Sequence, residues 1–330
     1  MSEIYKSIFN NEIAAHMLVR EVELGSEAYR HYKHVIRNFD DYLYITKHNE
    51  KSITIDVIDN WIKEVSYGTS INTVGQYVHY IRQLLNYLIS CGYRCAFPKN
   101  IISRDLYTPY LYSDKELNSI FAAADNLKAL HAVKNKWIEA EMPMLIRLLF
   151  CCGLRVGEAT NIKINDIDFK QNLILLKVTK KYKQRIVPYD ENLADIIYSY
   201  CLAMGILANP EAYLFPGIDK ETALASNSIR NYFKEILKVA GITRLGYSTN
   251  ERGPCIHCFR HTFAVRSFNQ AERIGLKAKD SVPFLSTYLG HDSLYETEKY
   301  LKFCGDAFPD TLIKFEAFVG DIFPEVAIDE

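Results

Sequence analysis

Between Cys255 and His261 the chain reads Cys-Ile-His-Cys-Phe-Arg-His, which places two cysteines, two histidines and an arginine within seven positions. A zinc site could draw on Cys255, His257, Cys258 and His261, since two cysteines separated by two residues are a familiar ligand spacing. Four ligands this close, with no distant second pair, leave no loop for a metal to organise. The other near pair, Cys91 and Cys95, falls in a different helical stretch. A thiol–disulfide motif would need a surrounding strand–helix–strand pattern, which is missing here. The third reading sets the thiols aside and keeps His257, Arg260 and His261 as the corner of an active site that needs no metal and no cofactor.

Other short motifs carry the same kind of residue. Gly153-Leu154-Arg155-Val156-Gly157-Glu158 holds an arginine just after a helix-stopping glycine, Leu289-Gly290-His291 holds a histidine, and Tyr300 follows nine positions later. With a lysine-rich stretch before Pro188, the set resembles the tyrosine recombinase (phage integrase) family. The family's pattern is an arginine in a G-L-R-x-x-E turn, a hairpin lysine, H-x-x-R, L-G-H and a nucleophilic tyrosine. All six positions are filled here in that order: Arg155, Lys180, His257, Arg260, His291 and Tyr300. The resemblance covers residues 113–303 and extends more loosely to the preceding helices, which match the family's core-binding domain.

The chemistry explains why these residue types are needed. Breaking a phosphodiester builds charge on its non-bridging oxygens, and a guanidinium grips phosphate with a rigid two-pronged fork. Arg155 and Arg260 supply two forks, and backbone N–H groups near Arg155 would add to them. A tyrosine hydroxyl has a pKa of about 10 and must lose its proton as it attacks. The resemblance implies that Tyr300 attacks, that His257 is the base, that His291 hydrogen-bonds the phosphate and that a hairpin lysine protonates the leaving 5′-oxygen. Glu158 supports the site by holding Arg155 or capping its helix.

Two departures from the family pattern stand out. Its hairpin usually reads G-K-G-x-K-x-R-x-V-P, whereas here Thr179-Lys180-Lys181-Tyr182-Lys183-Gln184-Arg185-Ile186-Val187-Pro188 replaces both glycines. Alignment favours Lys180, with Lys181 and Lys183 as alternatives. Cys258 stands where the family often has aspartate, a change expected to affect local packing. His261 is expected to pack beneath the site rather than touch phosphate, as histidines are often buried. Tyr288 and Tyr295 are rival nucleophiles among 23 tyrosines, and the offset from His291 selects Tyr300.

The implied activity is site-specific recombination of double-stranded DNA through a 3′-phosphotyrosyl intermediate. That intermediate keeps the bond energy, so neither metal nor ATP is required. The resemblance also implies a clamp of two domains around the duplex and a homo-tetramer on two DNA sites. A type IB topoisomerase shares the chemistry, and a silent DNA-binding regulator could share the scaffold. The two-domain size favours recombination over the former, and the complete set of six argues against the latter. A mobile-element integrase is preferred to a housekeeping recombinase.

A formal net charge of −1 over 330 residues gives little hint of a nucleic-acid partner. The distribution is more informative: residues 1–100 are neutral, with 11 bases and 11 acids, while residues 306–330 hold one base and seven acids. Residues 101–305 therefore carry a surplus of five bases, masked by an acidic tail. The N-terminus has no apolar export segment. The most apolar stretch, Met142–Leu154, is interrupted by Arg147 and is too short to span a bilayer. The expectation is a cytoplasmic, nucleoid-associated protein with no membrane partner and reduced thiols.

Elements must now position these residues. About one domain per 150 residues suggests two. Residues 1–95 read as an all-α domain, with Val74, Tyr77, Ile81, Leu84, Leu85 and Leu88 on one helical stripe and Gly92 as a stop. Residues 96–112 form a linker. Ser113 and Glu116 make a capping box that opens the catalytic domain, residues 113–305. That domain is mainly α with a small β-hairpin sheet, Leu173–Val178 against Gln184–Pro188. Cys151 and Cys152 are expected in its core. Residues 306–330 read as a tail helix with Leu312, Phe315, Phe318, Val319 and Ile322 on one face. The resemblance implies docking on a neighbouring protomer, and folding back on the same chain is the alternative.

Overall fold

A computed structural model describes residues 5–101, 109–128, 137–177, 184–243 and 253–301. Residues 306–330, expected to form a tail helix, and the hairpin tip with Lys180, Lys181 and Lys183 lie outside the described residues. The chain divides into two compact units, residues 1–107 and 108–330.

The first unit is built from α1 (Asn10–Glu23), α2 (Ser26–Ile45), α3 (Ile55–Ser66) and α4 (Ile71–Ser90). The stripe on α4 is largely as its spacing predicts: Val74, Ile81, Leu84, Leu85 and Leu88 are buried, and Val78 joins them in place of the half-buried Tyr77. Ile81, Leu84, Leu85 and Leu88 close on Ile36 and Phe39 of α2, Trp61 of α3 and Phe9 just before α1. The Ser70 side chain accepts from the Thr73 amide and caps α4, which stops just before Gly92 at φ +92°. The unit is not purely helical. β1 (Ser52–Ile53) pairs in parallel with β2 (Arg94–Cys95), a ladder too short to leave an alternating pattern in the sequence.

The second unit opens at α5 (Asp114–Asp125), where Ser113 and Glu116 form the capping box reciprocally. α6 (Ile138–Cys152) runs through the centre of the unit and ends at Gly153, φ +60°. There a Cβ would stand 2.4 Å from the Phe263 ring, so glycine is required by both backbone and space. Short α7 (Val156–Thr160) follows, then a three-stranded antiparallel sheet of β3 (Ile167–Asp168), β4 (Leu173–Leu176) and β5 (Arg185–Pro188). The hairpin register sets Leu173 opposite Pro188 and Leu176 opposite Arg185. The third strand, only two residues long, was not foreseen from the sequence.

α8 (Glu191–Met204), α9 (Ser226–Val239), α10 (Cys258–Arg273), α11 (Ala278–Leu289) and α12 (Leu294–Glu298) complete the unit. Its core gathers Leu145, Leu148, Leu149, Ile174, Val187, Phe215, Phe233 and Phe259. Cys152 is part of that core, but Cys151 is exposed, because adjacent helical residues point about 100° apart. Among the described residues, no helix is long and apolar enough to cross a membrane.

Candidate active site

The site is assembled at the carbonyl end of α11. The last carbonyls of a helix have no intrahelical partner and sit at its negative pole. Here three arginines take three in succession. Arg185 Nε donates to the Tyr288 carbonyl at 2.7 Å, Arg260 Nη2 to Leu289 at 2.7 Å and Arg155 Nη2 to Gly290 at 3.3 Å. They come from β5, α10 and the α6–α7 turn, so the helix end gathers three remote segments. Gly290, in the left-handed conformation at φ +65°, turns the chain so that His291 follows directly.

Glu158 organises the same cations. Its Oε1 accepts from Arg155 Nη1 at 2.8 Å, and its two oxygens accept from Arg185 Nη1 and Nη2 at 2.9 Å each. Oε2 also accepts from the Arg155 backbone N–H at 2.9 Å, and Arg260 Nη1 stands 3.9 Å from it. Glu158 thus both holds Arg155 and caps α7, and it takes up the amide that the sequence had suggested for an anion. Burial alone would raise its pKa, but the hydrogen bonds from Arg185 and from the Arg155 amide outweigh burial and bring it to about 2. Three guanidinium groups against one carboxylate leave a local surplus of two positive charges.

Arg260 is only 2% exposed, and its Nη1 also donates to the Gly153 carbonyl at 2.9 Å. Burial, then the nearby Arg155, lowers its pKa to about 10, so it stays charged at neutral pH. His291 Nδ1 lies 2.6 Å from Thr297 Oγ1 and its ring stacks on Tyr300 at 6.3 Å. Burial and the positive field of Arg260, Arg155 and Arg185 lower the His291 pKa to about 3, so the ring is neutral.

Tyr300 sits after α12, 7% exposed, in a small apolar cluster with Phe268, Leu285 and Leu289. Burial raises its pKa, partly opposed by Arg260 and Arg155. Its hydroxyl lies 2.8 Å from His261 Nδ1. His261 is buried, as expected, but it touches the tyrosine, a contact that the sequence reading did not foresee. The half-buried His257 lies one turn earlier, at the start of α10, with its ring edge-on to His261 at 4.7 Å.

The structure therefore brings Arg155, Glu158, Arg260, His291 and Tyr300 together, with His257 adjoining through His261. The rival tyrosines are placed otherwise: Tyr295 is 60% exposed, and the Tyr288 hydroxyl donates to the Cys152 carbonyl at 3.2 Å. Cys255 and Cys258 face each other with sulfurs 3.4 Å apart, Cys258 fully buried. Among the described residues, no three His, Cys, Asp or Glu side chains are grouped to hold a metal ion. Arg185 is the residue that sequence reasoning passed over; its signal was the arginine of the hairpin pattern.

Known proteins resemble this chain in sequence and in fold. A Sinorhizobium fredii protein named as an integrase/recombinase is 30% identical over 200 residues, 58% of this chain and 61% of the relative. A second such protein from the same strain is matched over 63% of its length, so the chain spans less than two thirds of both. The tyrosine recombinase XerD of Rickettsia bellii is 26% identical over 300 residues, covering 86% of this chain and 90% of that one. In fold, the chain matches the crystal structure of the XerH site-specific recombinase bound to palindromic difH substrate in a post-cleavage complex. The TM-score is 0.64 at 20% identity, over 90% of this chain and 86% of that one. Residues 113–303, which hold every element of the site, match the phage integrase family along their whole length, and the chain belongs to that family.

Proposed function

We propose that this protein is a site-specific DNA recombinase, an enzyme that breaks and rejoins DNA strands through a covalent bond between Tyr300 and a 3′-phosphate. The observation that carries this reading is the placing of two fixed guanidinium groups, Arg155 and Arg260, on adjacent carbonyls beside His291 and the Tyr300 ring. Preorganised donors of this kind stabilise charge that develops on phosphate oxygens without reorganising during the reaction.

In the proposed reaction the Tyr300 oxygen attacks phosphorus, the P–O5′ bond breaks, and the strand is left with a free 5′-hydroxyl. The tyrosine proton leaves towards the histidine pair: His261 orients the phenol, and His257 is the base that the family resemblance implies. Arg155 and Arg260 neutralise the non-bridging oxygens. His291 is neutral; in the tautomer proposed for the reaction the Thr297 hydroxyl donates to Nδ1, so that Nε2 carries the ring proton and can donate to the phosphate. Lys180 is proposed to protonate the leaving oxygen. Attack by the 5′-hydroxyl of a partner strand on the phosphotyrosine reverses the step. Energy is conserved in the covalent bond, so no step needs ATP, and the two guanidinium groups supply the charge neutralisation that a metal ion could otherwise provide. Residues 1–95 are proposed to grip the duplex as a core-binding domain, with four protomers on two sites.

The test uses a duplex selected from a random library by binding, then nicked near the scissile phosphate so that the cut strand diffuses away. The wild type and Tyr295→Phe are expected to accumulate a denaturant-stable protein–DNA adduct, and Tyr300→Phe none. An adduct that survives in Tyr300→Phe would overturn the assignment.

A further inference from the structure

Arg185 sits on β5 with its side chain 11% exposed, and all three guanidinium nitrogens are used. Nη1 and Nη2 form a fork-to-fork pair with Glu158, and Nε donates to the Tyr288 carbonyl. The other two of the guanidinium's five N–H groups lie on a side chain only 11% exposed, and none of the three bonded ones is left for a substrate. Each instead ends on a group that sets another site residue: Glu158 grips the Arg155 guanidinium and amide, while the Tyr288 carbonyl lies two residues before the Gly290 turn that delivers His291. The packing is close on that side too, since a Cβ on Gly290 would stand 2.9 Å from Arg185 Nη1.

A bidentate arginine pair is geometrically more demanding than a point charge, which fits a role in holding direction. Buried ion pairs, by contrast, contribute little net stability, because desolvation offsets attraction. Without Arg185, Glu158 would keep Arg155 as its hydrogen-bonded partner, and Arg260, already 3.9 Å away, would compete for the freed oxygen. Arg155 would then lose its fixed aim, and the carbonyl turn before His291 would lose one of its three cationic anchors.

We infer that Arg185 is a positioning residue, which aims Arg155 through Glu158 and His291 through the Tyr288–Gly290 turn while touching no substrate. This rests on the reading that the site transfers a DNA phosphate to Tyr300. Two properties follow. Arg185 should affect the chemical step rather than duplex binding, and its effect should depend on Arg155 being present.

The experiment measures single-turnover adduct formation at saturating protein, together with duplex Kd and thermal midpoint, for the wild type, Arg185→Lys, Arg155→Lys and the double variant. Arg185→Lys keeps the charge but cannot fill the fork and the Tyr288 carbonyl at once. It is expected to slow adduct formation by about 10- to 100-fold, below the full loss of a preorganised donor, with Kd unchanged within about threefold. In the Arg155→Lys background the same change is expected to cost only about two- to threefold, the non-additivity of residues acting as a unit. Equal losses in both backgrounds, a loss confined to Kd, a wild-type rate in Arg185→Lys, or failure of that variant to fold would each overturn the inference in favour of a general structural role. A wild type that forms no Tyr300 adduct would instead overturn the recombinase reading, and this inference with it.

Discussion

His261 and Tyr300 meet at 2.8 Å, ring nitrogen to phenol oxygen, where the tyrosine ring packs among Phe268, Leu285 and Leu289. The two residues are 39 positions apart, and the contact gives a buried hydroxyl a polar partner. Burial holds the phenol above its ordinary pKa, so losing the proton requires help. His261→Phe preserves the ring volume and removes the partner. Adduct formation is expected to fall by about 10²-fold, as for loss of a group assisting proton transfer, with His261→Gln recovering part of it. An unchanged rate in His261→Phe would mean that the contact is packing alone.

Arg155 and Arg260, both proposed to hold the phosphate, are expected to differ in what else they do. Arg155→Ala and Arg260→Ala should each slow adduct formation by about 10²–10³-fold, as expected for a preorganised donor. Arg260 also satisfies the carbonyls of Gly153 and Leu289 in the interior. Its loss should lower stability by about 1–3 kcal/mol, the cost of leaving buried acceptors unpaired. Arg155 is about a quarter exposed and should cost less. Urea unfolding separates the two, and equal destabilisation would contradict this division.

Acid should weaken the second unit in two stages. His291 has a folded pKa of about 3, below its ordinary value of 6.5, so the unfolded chain binds the extra proton. Its contribution is complete above pH 6.5 and is lost as pH falls towards 3. Glu158, at about 2 rather than 4.5, adds a second loss between those values. Midpoints measured from pH 8 to 3 should decline with acid, and His291→Gln should flatten the upper part of the slope. A His291→Gln slope identical to that of the wild type would remove His291 from the account. The same shift means that His291 should produce no inflection in the cleavage rate near pH 6.5.

Two glycines in one motif should respond oppositely to alanine. Gly153 has φ +60° and no room for a Cβ against Phe263, so Gly153→Ala should destabilise by about 1–3 kcal/mol, the range for strained backbone. Gly157 lies inside α7 with nothing within 4 Å of a Cβ, so Gly157→Ala should be neutral or stabilising by up to about 1 kcal/mol. Equal effects on the unfolding midpoint would contradict this reading of the turn.

The sequence by itself determined what repeats over short distances. The α4 stripe, the Ser113 capping box, the glycine stops and the two hairpin strands follow from spacings of two to four residues, where side-chain period and local hydrogen bonding act directly. The family pattern, too, was legible, because each motif is a short string in a fixed order. Very short pairings escaped, since β1 with β2 and β3 with β4 involve two residues a side and carry no periodic signal. The phase of Cys151 was lost for a related reason: an apolar residue on a central helix can face either way. What only the tertiary structure decided is the wiring of the site. Arg185 reaches Glu158 across 27 positions, Arg185 reaches Tyr288 across 103 and Arg155 reaches Gly290 across 135. No local spacing encodes such contacts, because they exist only once packing of the core has carried separate segments to the carbonyl end of one helix.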